Sequence, residues 1–281
     1  AAAKKAKPGM KVVNIDPRKT ATTDLADHHL RIAPDGDTAV FNGLLAYLAD
    51  TDQLDGAFLK AHVTGRRPAI TQARLGDPLE SGLSEAELAQ FYRLWAGTQK
   101  VVTLYSQGVN QSQCGTDKVN AIINAHLATG RIGKTGAGPF SLTGQPNAMG
   151  GREVGGLANQ LAAHMDFSDD NISRVSRFWQ SDVVSSSPGL KAVELFDAIA
   201  DGQIKAVWIM ATSPVDSLPT ANKVKAALEK CEFVVVSDCM LHTDTTQHAD
   251  MLLPALGWGE KDGTVTNSER RISRQRAILP P

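Results

Sequence analysis

Two carboxylates stand where an open α/β sheet keeps its ligands, just beyond the carboxyl ends of strands. Asp16 closes the apolar run 11–16 (KVVNID), and Asp238 closes 232–238 (EFVVVSD). A carboxylate accepts two parallel hydrogen bonds from the N1–H and N2–H₂ edge of guanine. The same residue at a strand end also bonds a ribose hydroxyl, as in dinucleotide-binding enzymes. The plainer alternative is an Asp that caps the following turn, and two of them in equivalent places favour binding. Polar or turn-forming residues close two more strands, at 106–111 (SQGVNQ) and 211–214 (ATSP), and Ser237 lies beside Asp238.

A second concentration of chemistry is the run 130–156, GRIGKTGAGPFSLTGQPNAMGGREVGG, which holds 9 of the 24 glycines together with Gln145, Asn147 and Arg152. It has no hydrophobic periodicity, so it is expected to be neither helix nor strand interior. Glycine lets backbone amides approach a ligand and tolerates φ > 0. The polar residues set among these glycines point to a loop wrapped around a large polar cofactor. A flexible linker is the alternative, and it would be poorer in Phe140, Leu142 and Met149.

The elements that must hold these residues alternate. Residues 11–16 read as a buried strand closed by Pro17, and Leu30, Arg31 and Ile32 as a second short strand. Asp37 can cap a helix over 38–49, where Val40, Leu44, Leu45 and Leu48 recur at helical spacing. Ser84 and Glu87 form a capping-box pattern ahead of Leu88, Phe91 and Trp95. Residues 100–105 (KVVTLY) read as a strand, and 116–129 as an amphipathic helix stopped by Gly130. Beyond the glycine run the spacing predicts helix 191–200, strand 204–210, helix 219–230, strand 232–238 and a short apolar piece at 251–253. No internal repeat stands out. Strands alternating with helices imply parallel sheets with covered faces. The expected fold is α/β, two doubly wound, mostly parallel, Rossmann-like blocks: one domain over 1–141 and part of a second over 142–281.

The 281 residues suffice for roughly two domains, and a 42% hydrophobic content supplies their cores. With a net charge of −1 there is no basic stripe for nucleic acid. No apolar run approaches the ~18 residues of a membrane span, and the opening AAAKKAKPGM lacks the apolar region of a signal peptide. Cys114, Cys231 and Cys239 are odd in number and unpatterned, which fits a reducing, cytoplasmic setting. No CxxC or HExxH spacing occurs, and no metal ligand is assigned. The stretch 128–135 (ATGRIGKT) resembles a P-loop, but Ala128 replaces its first Gly and a helix precedes it. No GxGxxG follows a strand, which weakens a nicotinamide-dehydrogenase reading.

Residues 140–153 (FSLTGQPNAMGGRE) resemble a loop of the molybdopterin oxidoreductases of the dimethyl sulfoxide reductase family, most closely the catalytic subunits of assimilatory nitrate reductases. Four other stretches agree in order: 15–20 (IDPRKT), 108–111 (GVNQ), 126–133 (HLATGRIG), and 249–254 with 260–271 (ADMLLP and EKDGTVTNSERR). The resemblance covers nearly the whole chain. It implies molybdenum held by two molybdopterin guanine dinucleotides, one guanosine end in each α/β domain. Asp16 and Asp238 would then be guanine-edge acceptors, with Thr20, Asp37 and Ser237 nearby. Gly108, Asn110 and Gln111 would line the pterin, Gln145 would reach the pterin or dithiolene, and Thr243 and Thr245 would serve phosphate or ribose oxygens. Arg152 would be the catalytic residue, its planar guanidinium matched to nitrate, unless it is spent in an ion pair with Glu153.

The implied reaction is reduction of nitrate to nitrite by oxygen-atom transfer at molybdenum, as in nitrate assimilation. Its electrons would come from a donor protein or domain through a [4Fe–4S] cluster in an N-terminal part of the parent protein. A formate dehydrogenase of the same family, or an isolated non-catalytic nucleotide-binding fragment, is the alternative. The chain reads as a central fragment, inactive alone. It departs from the family at residues 34–37 (PDGD), where Pro-Gly-Thr-Asp is usual, and at Cys114.

Overall fold

The computed structural model describes residues 2–281. They divide into two compact units, one ending at Gly144 and the other running Gln145–Pro281.

In the first unit, α1 (Ala2–Ala6) precedes β1 (Val13–Ile15), and a 3-10 turn at Thr23–Leu25 leads into β2 (His28–Leu30). The two strands pair in parallel, Val13 opposite His28 and Ile15 opposite Leu30. Four helices follow, α2 (Asp37–Asp50), α3 (Gly56–His62), α4 (Arg66–Leu75) and α5 (Glu85–Ala96). Then come β3 (Val102–Tyr105), α6 (Gln107–Asn110), α7 (Gly115–Ala128) and β4 (Gly138–Ser141), with β4 parallel to β3. The core joins Val40, Phe41, Leu44 and Leu48 of α2 to Phe91, Tyr92 and Trp95 of α5 and to Ile122 and Ala125 of α7. Phe41, Phe91 and Trp95 meet edge to face at 6.2–6.3 Å, a geometry worth ~0.5–1.5 kcal/mol per pair beyond the area buried. Tyr92 donates to the Val40 carbonyl at 3.0 Å. That contact requires Gly43, where a Cβ would collide with the phenol oxygen.

Two helix signals, the capping box at Ser84 and Glu87 and the stop at Gly130, act as the sequence suggests. Glu87 N–H donates to Ser84 Oγ, and Glu87 Oε2 accepts from Ser84 N–H at 2.9 Å. At the end of α7, Gly130 takes φ 59°. Gly130 N–H reaches the Leu127 carbonyl and Arg131 N–H the His126 carbonyl, the paired bonds of a Schellman stop.

In the second unit, α8 (Ala148–Glu153), α9 (Asp169–Trp179) and α10 (Ala192–Ala200) precede β5 (Ala206–Met210), α11 (Pro214–Ser217), α12 (Ala221–Lys230) and β6 (Phe233–Asp238). The chain ends through β7 (Met251–Pro254), β8 (Gly263–Thr266) and β9 (Ile272–Gln275). Strands β5, β6 and β7 form a parallel sheet in that order, and β8–β9 is an antiparallel hairpin. Ile209, Val234 and Val236 pack on Phe196 and Ile199 of α10 and on Val224 and Leu228 of α12.

The fold is α/β with parallel sheets, but two expectations change. Within these residues the sheets are not covered on both faces: Leu104 is 60% exposed beside Phe140, and Trp208 is 58% exposed on the same side as Met210 and Met251. The glycine run is not one loop either, since it contains β4 and α8. Five of its nine glycines have positive φ, so much of their density serves the turns that join these short pieces. A four-residue strand and a six-residue helix are too short to show a period. Among the described residues, no helix is long and apolar enough to cross a membrane.

Candidate functional site

The end of β1 is built around its carboxylate. Asp16 Oδ1 accepts the N–H of Arg18 at 2.8 Å, and the Asp16 N–H donates to the Leu30 carbonyl at 3.2 Å. Thr20 N–H then donates to Thr23 Oγ1 at 3.0 Å, and that hydroxyl reaches Asn14 Oδ1 at 2.7 Å. The 3-10 turn delivers Asp27 to the start of the strand pair. There its Oδ2 accepts from Val12 N–H at 2.8 Å and its own N–H donates to the Val12 carbonyl. The hydrogen bond from Lys4, with that from Val12, pulls the Asp27 pKa down to about 2.

The end of β6 repeats this arrangement. Asp238 Oδ1 accepts Met240 N–H at 2.9 Å. Thr243 N–H donates to Thr246 Oγ1 at 2.7 Å ahead of a 3-10 turn at Thr246–His248. Asp250 Oδ2 accepts Val234 N–H at 2.7 Å, and Asp250 N–H donates to the Val234 carbonyl. The sequences then align, with TATTDLAD at 20–27 matching TDTTQHAD at 243–250. An internal repeat is therefore present, contrary to the sequence reading. It is short, and one extra residue between Asp238 and Thr243 shifts its spacing. The second carboxylate oxygens of Asp16 and Asp238 accept no hydrogen bond and join no ion pair among the described residues.

The repeats differ at their middle threonine. Thr22 is exposed. Thr245 has no exposed surface, and its hydroxyl lies 2.8 Å from Ser213 Oγ and accepts Val215 N–H at 3.2 Å. Thr245 thus fastens the turn after β5. Thr243 Oγ1 accepts from Thr246 N–H at 3.1 Å, and Ser237 Oγ accepts from the indole N–H of Trp208 at 3.0 Å.

Asp37 does not cap its helix. Gly36 is the N-cap, and Asp37 is the first helical residue. Its Oδ2 lies 3.1 Å from Nζ of Lys118, which also meets Asp35 Oδ1 at 2.6 Å and is 2% exposed. Burial pulls the Lys118 pKa down, but the bonds from Asp35 and Asp37 outweigh it and the net shift is upward. The sequence reading missed Lys118. Its signal was a lone lysine among Ala121, Ile122 and Ala125 on the inward face of an amphipathic helix.

Gly108 and Asn110 lie in α6 rather than in an open loop, and Gln111 follows at its end. All three are exposed. Asn110 Nδ2 stands 3.5 Å from Ser141 Oγ, and Ser106 Oγ donates to the Leu142 carbonyl at 2.8 Å, so α6 adjoins the start of the glycine run. Cys114 is half-buried with its sulfur 3.8 Å from Ser112 Oγ. Gln145, at the start of the second unit, is exposed.

Arg152 is exposed in the last turn of α8. Its carbonyl accepts from Gln160 Nε2 at 2.7 Å. Glu153 does not pair with it: Glu153 Oε1 lies 2.9 Å from Arg270 Nη2 and 3.4 Å from His164 Nε2. Among the described residues, no three His, Cys, Asp or Glu side chains converge to hold a metal ion.

The family model described as molybdopterin oxidoreductase matches residues 1–281. The chain is 53% identical over 283 residues to a nitrate reductase of Klebsiella oxytoca, across 100% of this chain and 32% of that protein. It is 54% identical over 274 residues to a nitrate reductase of Shewanella frigidimarina, across 95% of this chain and 29% of that protein. It is 32% identical over 278 residues to the F420-dependent formate dehydrogenase subunit alpha of Methanocaldococcus jannaschii, across 97% and 41%. The acetylene hydratase of Pelobacter acetylenicus shares the fold, with a TM-score of 0.72 at 17% identity over 98% of this chain and 41% of its own. The chain spans roughly a third of the length of the curated nitrate reductases it matches.

Proposed function

Since the chain belongs to the molybdopterin oxidoreductase family, whose cofactor is a molybdenum pterin, we propose that it is the cofactor-binding centre of a nitrate reductase. In this reading it holds the guanosine ends of two molybdopterin guanine dinucleotides, in domains that follow the two compact units. The observation that carries the reading is the repeated strand end. Asp16 and Asp238 each commit one oxygen to a local turn and keep the other for a donor. A carboxylate so placed fits the adjacent N–H groups of guanine, and it sits where parallel strands keep their ligands.

The bound group would supply the two-electron redox chemistry. This chain's residues would bind and orient. Asp16 and Asp238 receive the two bases, with Thr20 and Ser237 alongside. Thr243 offers a hydroxyl to a ribose or phosphate oxygen. Lys118 fixes Asp37 in the first cradle, and Thr245 acts from behind by holding the 213–215 turn. Gly108, Asn110, Gln111 and Gln145 present polar edges to the pterin. Arg152 offers parallel N–H donors to nitrate, steers its orientation and offsets charge as the N–O bond lengthens. A donor protein or domain, a [4Fe–4S] cluster with cysteines from outside these residues, and a cytoplasmic setting complete the reading.

The test is the guanine nucleotide and molybdenum released per protein from the purified full-length enzyme. Asp16→Ala and Asp238→Ala should each cost about 1–3 kcal/mol of cofactor retention through a lost charge-assisted bond, lowering the yield. Unchanged nucleotide and molybdenum in both variants would end the reading. The 32% identity to a formate dehydrogenase keeps a second reading open. Formate oxidation without nitrate reduction by the full-length enzyme would select it.

A further inference from the structure

The surroundings of Arg152 contain more than a short helix. On a helix, adjacent residues point to different sides, yet Glu153 is the nearest acid in sequence, and both side chains are long enough to curl together at a helix end. The structure directs Glu153 elsewhere. Its Oε1 faces Arg270 at 2.9 Å and His164 at 3.4 Å. That oxygen is buried and takes no aligned hydrogen bond. Both facing residues use unusual backbone. Arg270 has φ 61° and His164 φ 59°, values that L-residues with a Cβ avoid. The Arg270 turn is set by Asn267, whose Oδ1 accepts the N–H groups of Glu269 and Arg271 at 2.9 and 3.0 Å. The same hairpin grips the start of α8, because Asn147, at φ 60°, accepts the N–H of Thr266 at 2.9 Å. Among the described residues, no carboxylate pairs with the Arg152 guanidinium.

We propose that Arg270 is a positioning residue for anion recognition: by holding Glu153 it keeps the Arg152 guanidinium free for a planar, singly charged anion. Without Arg270, the Glu153 carboxylate, adjacent to Arg152 in sequence, is released to compete for its guanidinium. The inference rests on the nitrate reading of the preceding subsection.

The test is a charge cycle in the full-length enzyme: Arg270→Met, Glu153→Gln and the double variant, with Arg152→Met as reference. Arg270→Met should raise the KM for nitrate about tenfold, the scale of one charge-assisted contact, and leave kcat near wild type. Any competition by bicarbonate, planar and singly charged like nitrate, should weaken in parallel. The double variant should recover to within about twofold, because the neutral amide introduced by Glu153→Gln no longer competes. Arg270→Lys, which keeps the charge, should stay near wild type. If Arg270→Met does not fold, the Glu153→Gln background should accept it, and failure there too would overturn the inference. A double variant as poor as Arg270→Met alone would also overturn it. An Arg152→Met enzyme with unchanged KM would sink the nitrate reading itself, a different outcome.

Discussion

Asp16 and Asp238 meet the same partner, the N–H two residues on, and the chain then passes the same threonine lock and returns through the same aspartate clamp. Around these twin loops the two units are built differently. The first buries ionisable side chains, Lys118, His126 and Arg131, whereas the buried polar residues of the second are the non-ionisable Thr245 and Thr246. What the loops share is the geometry that presents a carboxylate beyond a strand. What differs is how each is fastened, and fastening by ionisable groups leaves the first unit open to pH in a way the second is not.

The largest expected effect tests that contrast. His126 has no exposed surface and stands 2.8 Å from Thr103 Oγ1, tying α7 to β3, with Trp95 packed on its ring at 4.7 Å. Burial, and then the nearby Arg131, push its pKa down to about 4. In the unfolded chain the value is about 6.5, so the neutral ring is favoured by folding. This contribution is complete above pH 6.5 and falls as pH drops towards 4, by a total of about 3 kcal/mol. Denaturant midpoints at pH 7.5 and 4.5, read with Trp95 or Trp208 as the sole tryptophan, should move for the first unit and much less for the second. Equal movement would mean that burial of His126 does not distinguish the units.

A smaller effect separates the middle threonines. Thr245→Val keeps the shape but leaves the Val215 N–H without its acceptor, at a cost of about 1–3 kcal/mol. Thr22→Val, at the equivalent exposed position, should change stability by less than about 0.5 kcal/mol. Thermal unfolding of the two variants decides the point, and equal losses would show that the repeats are fastened alike.

The sequence made some of this legible and hid the rest for identifiable reasons. Strands 232–238 and 100–105 carried their own apolar signal, and the capping box at Ser84 and Glu87 is a local pattern, so both were readable. The Asp37–Lys118 pair was not, because its members lie far apart in sequence and a helix start offers Asp a simpler role. Helices α3, α4 and α9 were not anticipated, since each buries a single side chain, Leu59, Ala73 and Val175, too few to leave a helical period in the sequence. The acids at 16 and 238 were legible as a pair, while the repeat that makes them equivalent needed the threonine and aspartate hydrogen bonds to reveal its alignment.

The smallest expected effect asks why the two residues are acids at all. The turns after β1 and β6 need only an oxygen that accepts from the N–H two residues on, and an amide oxygen supplies one. Asp16→Asn and Asp238→Asn should therefore leave stability within about 0.5 kcal/mol of wild type, whereas Asp16→Ala and Asp238→Ala, which remove the acceptor, should cost about 1 kcal/mol each. Chemical denaturation of the four variants measures both steps. If Asn proves as costly as Ala, the negative charge is needed by the fold, and the carboxylates lose their standing as ligand acceptors. If Asn is silent in both units, the charge has no structural task there, and a bound partner rich in N–H donors is what remains to account for it.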